Sequence, residues 1–408
     1  MRLLPEPGPA RTLTLGTLVR TVGRGLWLVA SALFLTRSVG LTATEVGVGL
    51  TVSALVGLLA SAPTGYLADR LGPRGTQVAA LVAGGALTAT LVAVESFAAF
   101  LAVGAATALA DAADRGARGA LIAGSVPADQ RVRTRAYLRA TTNVGISVGA
   151  VLAGFALAAD TRAAYVALIL TAATTYLLAA AVFTRLPAIA PAPAPTQGPR
   201  LIALRDRPFL AFTVLDGLMS MHFGLLNIAL PLWIVGHTRA PAWVISGLML
   251  VNTLVVVLFQ VRAARGTESL AGAARASRRA GLAIAAACVL FAASGGLPTV
   301  AAVALLVAGA LAHVVGELWH SAAGWGISFG LAPEHAHGQY QGAYSMGFEL
   351  GRMIAPVVVT TLAVGWGVPG WLLLGGLFLL LGALVPGVVG WAARNRDAAP
   401  APRPVPVQ

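Results

Sequence analysis

Stretches of about 20 predominantly apolar residues, the length an α-helix needs to cross the hydrocarbon core of a bilayer, recur along this chain with short polar breaks between them. They fall near 15–36, 44–65, 75–94, 97–121, 137–158 and 163–184, and again near 209–235, 241–262, 280–297, 300–326, 341–363 and 368–392. Between the two sets runs a polar, proline-rich segment from Leu186 to Arg207 containing Pro-Ala-Pro-Ala-Pro. The pattern predicts an all-α membrane protein of 12 transmembrane helices in two pseudo-symmetric six-helix halves, 1–185 and 209–393. Residues 186–208 form the linker and 394–408 a disordered tail. A short internal repeat supports the duplication. Shifting by 202 residues overlays Gly145 on Gly347, Gly149 on Gly351 and Ala153 on Ala355, at the fifth and eleventh spans.

Charge sets the orientation. The segments holding Arg70 and Arg74, then Arg131, Arg133 and Arg135, then Arg185, Arg200, Arg205 and Arg207, then Arg262, Arg265, Arg275, Arg278 and Arg279, all fall on one side. The opposite side holds Arg37, Arg162 and Arg239. Arginine is retained on the cytoplasmic side of membrane proteins, so linker and both termini are expected in the cytoplasm of a multi-pass cell-membrane protein.

Composition agrees. Of 408 residues, 57% are hydrophobic and 11% charged, against about 25% charged in a soluble domain, which excludes a soluble enzyme. The net charge of +13 does not signal nucleic acid, because the arginines are spread among the breaks between spans and lysine is absent. Cys288 is the single cysteine and forms no intramolecular disulfide. The proline-rich start, through Arg11, lacks a cleavable signal peptide, so the first span is expected to direct insertion.

After the second span the chain reads Gly65-Tyr66-Leu67-Ala68-Asp69-Arg70-Leu71-Gly72-Pro73-Arg74. This resembles the G-x-L-a-D-r-x-G-r-r loop of the major facilitator superfamily, at the same place between spans 2 and 3, with Pro73 in place of one basic residue. Ile122 to Arg131 and Leu331 to His335 resemble the family's 4–5 and 10–11 loops. Spans 1, 4, 7 and 10 would line a central cavity, and Gly65, Asp69, Arg70, Gly72 and Arg74 would form a gating loop on the cytoplasmic side. The copy expected after span 8 is replaced by an arginine-rich stretch, Arg262 to Arg279, and Gly104 stands where the family's span-4 arginine would be. Gly145, Gly149 and Gly154 resemble the span-5 element of drug exporters, with Ala150 in place of its proline.

Ionisable groups inside spans are candidates for function, since hydrocarbon penalises them unless they face a cavity or a partner. His313, Glu317 and His320 share one face of span 10. A carboxylate beside imidazoles suits proton coupling; structural hydrogen bonding and a metal site are the other readings. Asp216, His222 and Asn227 lie in span 7 and Arg24 in span 1, with Asp216 and Glu317 the acids expected to pair with Arg24. Asp111, Asp114, Arg115 and Arg118 in span 4 form two i, i+4 pairs and are expected in a gate network with the 2–3 loop, with substrate binding and a solvated structural role as the other readings. Glu349 and Arg352 in span 11 are an internal pair or a cavity contribution. Asn143 and Asn252 are expected in helix packing, Trp27 in packing or the cavity wall, and Trp233, Trp243, Trp371 and Trp391 at the membrane interfaces.

No phosphate-cradling loop with lysine is present, which excludes ATP drive by this chain, and no hydrolase motif is recognised. The expectation is therefore a monomeric secondary transporter working by alternating access, without cofactor or resident metal. Its partners would be a small molecule, protons and lipid. Proton-coupled efflux of a drug-like or amphipathic compound is favoured; uptake of a sugar, metabolite or organic ion, and a non-transporting sensor, stay as alternatives.

Overall fold

The computed structural model describes residues 4–157, 161–192 and 200–397; residues 193–199 of the linker and 398–408 of the tail lie outside that set. All regular structure among the described residues is helical. The helices are α1 (Pro9–Leu33), α2 (Ala43–Leu71), α3 (Pro73–Thr90), α4 (Phe97–Ser125), α5 (Ala128–Leu157) and α6 (Arg162–Phe183) before the linker. After it come α7 (Arg207–His237), α8 (Trp243–Ala263), α9 (Leu270–Ala293), α10 (Thr299–Gly330), α11 (His337–Val359) and α12 (Val368–Asp397). Among the described residues ten helices are long and apolar enough to cross a membrane, and α1 and α5 are not among them. Leu59, Leu178, Val357 and Leu380 are exposed, an exterior suited to lipid and not to water.

Side chains set several helix starts. Thr42 and Glu45 form a reciprocal capping box at α2, with Glu45 Oε2 accepting from the Thr42 backbone N–H at 2.8 Å. Ser96, Thr161, Asp206 and Ser269 cap α4, α6, α7 and α9. Two helices start well before their apolar stretches. The α5 helix begins at Ala128 and α9 at Leu270, so Arg131, Arg133, Arg135, Arg275, Arg278 and Arg279 ride on helices and are not loop residues. Arginine has high helix propensity, and a helix can continue past the hydrocarbon into the interface. Only Gly72, at φ 92°, separates α2 from α3, a backbone conformation that favours glycine.

The glycine repeat marks matching contacts. On α5, Gly145 packs on Thr21 of α1 and Gly149 on Gly25; on α11, Gly347 packs on Thr213 of α7 and Gly351 on Gly217. Thr21 and Gly25 have the same four-residue spacing as Thr213 and Gly217, so both helix pairs meet through one motif that leaves no room for a Cβ.

Trp233 and Trp371 overturn the interfacial expectation. They are 2% and 0% exposed and meet edge-on, ring centroids 5.9 Å apart, beside Phe291. Trp233 Nε1 donates to Ser294 Oγ at 3.2 Å, so its polar end is satisfied inside the bundle. Trp243 is exposed, as an interfacial residue would be. Cys288 is fully buried in the same core cluster.

Helices from the two sides of the linker meet at α2 with α11, α4 with α11 and α5 with α8. The approach of α2 to α11 is tight. A side chain on Gly65 would strike the backbone of Gly338, and one on Gly342 would strike the carbonyl of Ser61. This contact lies towards the end of the molecule that carries the linker, near the α2–α3 junction.

Candidate functional site

Asp69 is buried at the α2–α11 contact and accepts from the backbone N–H groups of Gly338 at 2.7 Å and Gln339 at 3.0 Å. These donors belong to the first turn of α11, where unpaired N–H groups and the helix dipole favour an anion. Arg70 donates to the carbonyl of Ala192 at 2.8 Å and Arg74 to that of Leu186 at 2.9 Å. The Ala192 N–H donates in return to the Asp69 carbonyl at 2.8 Å. The loop thus holds helices from both sides of the linker, and the linker itself, in one closed arrangement. Asp69→Asn keeps the shape but removes the charge from the helix end. Turnover should fall about tenfold, as expected for losing a charged hydrogen bond, with substrate affinity within about twofold. A steep loss of affinity at normal turnover would contradict that placement.

The span-4 charges do not pair as two i, i+4 couples. Arg118 Nη1 lies 3.2 Å from Asp114 Oδ2, as spacing suggests. Asp111 and Arg115, in contrast, form no ion pair among the described residues. Asp114 gathers Arg20 from α1 at 3.4 Å and Gln77 from α3, whose Nε2 donates to Oδ1 at 3.0 Å. Its partners all precede the linker, whereas Asp69 reaches across to α11.

Glu317 sits near the middle of α10. Its Oε1 accepts from Arg139 Nη2 of α5 at 2.5 Å, and its Oε2 accepts from Asn252 Nδ2 of α8 at 2.8 Å. Arg139 also donates to Ser321 Oγ. Arg139 is therefore the partner of Glu317. Arg24, expected to pair with Glu317 or Asp216, makes no ion pair among the described residues and is exposed on the wall of a cavity. Asp216 faces His320, and the hydroxyl of Tyr344 of α11 and Asp216 Oδ1 both lie against the side-chain-free Gly324.

His222, His313 and His320 are brought together and buried, with His222 between the other two. The regular turns of α7 break at Ser220 and Met221, and a wide turn follows over Leu225–Ala229. Pro231, which has no N–H to donate back along the helix, lies just beyond. The ring nitrogens point at one another, and among the described residues no group of three or more His, Cys, Asp or Glu could hold a metal ion.

In front of this network lies a cavity of about 260 Å³ between α1, α4, α5, α10 and α11. Seven arginines line it: Arg20, Arg24, Arg115, Arg118, Arg135, Arg139 and Arg352. Among the described lining residues Glu349 is the one carboxylate, and it lies 4.0 Å from Arg352 in a half-exposed pair. Asp114 and Glu317 stand behind the wall and engage Arg20, Arg118 and Arg139. Trp325, Phe348 and Leu138 add apolar surface. Asn227 is not part of this group; its amide donates to the carbonyl of Phe223 in its own helix at 2.8 Å.

The family model of the major facilitator superfamily matches residues 13–356, and the chain belongs to that superfamily. It is a multi-pass membrane transporter and not an enzyme. Similar solved structures include the human organic anion transporter MFSD10, 20% identical, covering 92% of this chain and 98% of that one at a TM-score of 0.66. A bacterial homologue of the iron transporter ferroportin, in an outward-facing state, is 15% identical and covers 97% of this chain and 100% of that one at 0.70. The proton:xylose symporter XylE is 11% identical, with coverage of 93% and 95% at 0.69. At these identities the likeness is one of fold. A search of curated protein sequences returns no match.

Proposed function

We propose that this chain is a proton-coupled carrier of small, amphipathic organic anions. The observation that carries the reading is the cavity wall, with seven guanidiniums against one carboxylate. Guanidinium groups recognise carboxylate, sulfonate and phosphate in a planar, two-pronged fashion, and in a restricted cavity they disfavour cations. Apolar Trp325 and Phe348 suit the organic part of such a molecule. MFSD10 is described as an organic anion transporter; at 20% identity that likeness is one of fold, and the arginines of this chain carry the assignment.

In this reading the twelve helices span the membrane as halves 1–185 and 209–393, joined by the linker 186–208, with linker and termini cytoplasmic. The matched Gly145–Thr21 and Gly347–Thr213 contacts favour the duplication. The α2–α11 contact then closes the cytoplasmic side, and rocking of the halves opens it. Arg139–Glu317 links the halves beside the cavity, so protonating Glu317 releases both the link and a guanidinium. The direction favoured is export by a monomer, on the likeness of the loops to drug exporters.

Counterflow of benzenesulfonate in proteoliposomes, with a neutral and a quaternary ammonium analogue alongside, tests the substrate class. The sulfonate alone should exchange. Arg115→Ala should weaken its binding about tenfold or more, as for a charged hydrogen bond lost from a sheltered site. Exchange of the ammonium compound without the sulfonate would refute the assignment.

A further inference from the structure

Three buried histidines are joined nitrogen to nitrogen, and the series has a direction. His313 Nε2 lies 3.0 Å from the backbone carbonyl oxygen of His222, an atom that can only accept, so this nitrogen carries the hydrogen. It also lies 3.1 Å from His222 Nδ1, which is then the bare, accepting nitrogen of a neutral ring. His222 therefore holds its hydrogen on Nε2 and donates to His320 Nδ1 at 3.1 Å. His320 in turn holds its hydrogen on Nε2, facing Asp216 Oδ1 at 3.2 Å. One backbone carbonyl thereby sets three tautomers.

At the other end His313 Nδ1 is bare and faces Glu317 Oε2 at 3.9 Å. Both terminal nitrogens, His313 Nδ1 and His320 Nε2, are buried without a hydrogen bond. A network that only braces helices pairs its buried polar atoms. Here the two loose ends are those that face carboxylates.

We propose that His313, His222 and His320 relay a proton between Glu317 and Asp216. This rests on the proton-coupled reading above and gives it a route. A proton on Glu317 passes to His313 Nδ1, and His313 releases its Nε2 proton to His222 Nδ1. His222 releases its Nε2 proton to His320 Nδ1, and His320 releases its own to Asp216. Each ring gains one proton and loses one. The net change is one proton off Glu317 and one onto Asp216, with the rings left holding hydrogen on Nδ1. Glu317 regains its charge and its hold on Arg139; the reverse passage neutralises Glu317 and frees that arginine. The end state sets bare His313 Nε2 against the His222 carbonyl, two acceptors in contact, so it relaxes back unless α7 shifts at its break near His222. Besides the two carboxylates, the groups facing the relay are Arg139 from α5, which lies over Phe223 at 5.3 Å, Asn252 from α8 and Tyr344 from α11.

The test follows the carboxyl stretches of Glu317 and Asp216 by infrared spectroscopy after a pH jump on the purified full chain, assigned by their loss in Glu317→Gln and Asp216→Asn. In the unaltered protein the two bands should change together. In His222→Gln, whose amide hydrogen-bonds but cannot pass a proton, their rates should separate by about 100-fold, the scale of a lost positioned proton transfer. His320→Gln cuts the same series and serves if the first variant does not fold. Equal rates in a folded variant, or separate rates in the unaltered protein, overturn the relay. Joint bands without any anion transport would leave the relay standing and remove the carrier reading; sulfonate exchange with unlinked bands would do the opposite.

Discussion

Glu317→Gln is expected to exchange anions across the membrane but to stop concentrating them against a pH gradient. The amide keeps the size of the side chain and can still meet Asn252 and Arg139, but it has no titratable proton and no charge. Each pH unit is worth about 1.4 kcal/mol per coupled proton, so two units sustain about 100-fold accumulation in a carrier coupled to one proton. In the variant that ratio should drop to about one, and transport should lose its pH dependence. Vesicle accumulation of benzenesulfonate at two gradients measures both. Full accumulation with the usual pH profile would remove Glu317 from coupling. Glu317→Ala is a different perturbation, because it leaves Arg139 without its carboxylate. Breaking such a sheltered pair by removing one partner costs about 3–5 kcal/mol, and loss of stability would obscure the transport result.

Gly342→Val is expected to hold the molecule open at the linker end. In the closed arrangement a side chain on Gly342 meets the Ser61 carbonyl, which belongs to helix backbone and cannot swing aside. Overpacking of this kind costs about 1–3 kcal/mol, and because the penalty falls on the closed state alone it shifts the equilibrium by about 5- to 150-fold. Turnover should fall by a similar factor while the cavity still binds anions. A cysteine introduced at Gln339 should react with a membrane-impermeant maleimide faster in this variant than in the parent. Unchanged labelling with normal turnover would mean that α2 and α11 do not need to meet so closely.

Much of the architecture was readable from local pattern. The apolar stretches marked the helices, and the Gly65–Arg74 loop marked the family, because its glycines and acid are fixed by a tight junction within a few residues. The partners of the buried charges were not readable, since ion pairs across a bundle depend on helix phase and rotation. Arg139 does not stand out in the sequence because it follows Arg131, Arg133 and Arg135, which read as a topology signal. Its spacing held the clue: residues 131, 135 and 139 are four apart and share one face of α5. Arg135 reaches Gln341 and Arg139 reaches Glu317, both beyond the linker. Arg20 carried the same signal four residues before Arg24. Trp233 and Trp371 are buried for a related reason that the sequence does not carry, as position near a span end says nothing about whether a ring faces lipid or the neighbouring helices.

Burial of Cys288 bears on how the motions of this carrier can be watched. The only native thiol sits among Ala287, Phe291 and Trp371 with no exposed surface, so aqueous maleimides and spin labels have nothing to attack on the parent chain. Reporter cysteines can therefore be placed in pairs across the α2–α11 contact without first stripping the sequence, and the distances they return describe the unaltered core.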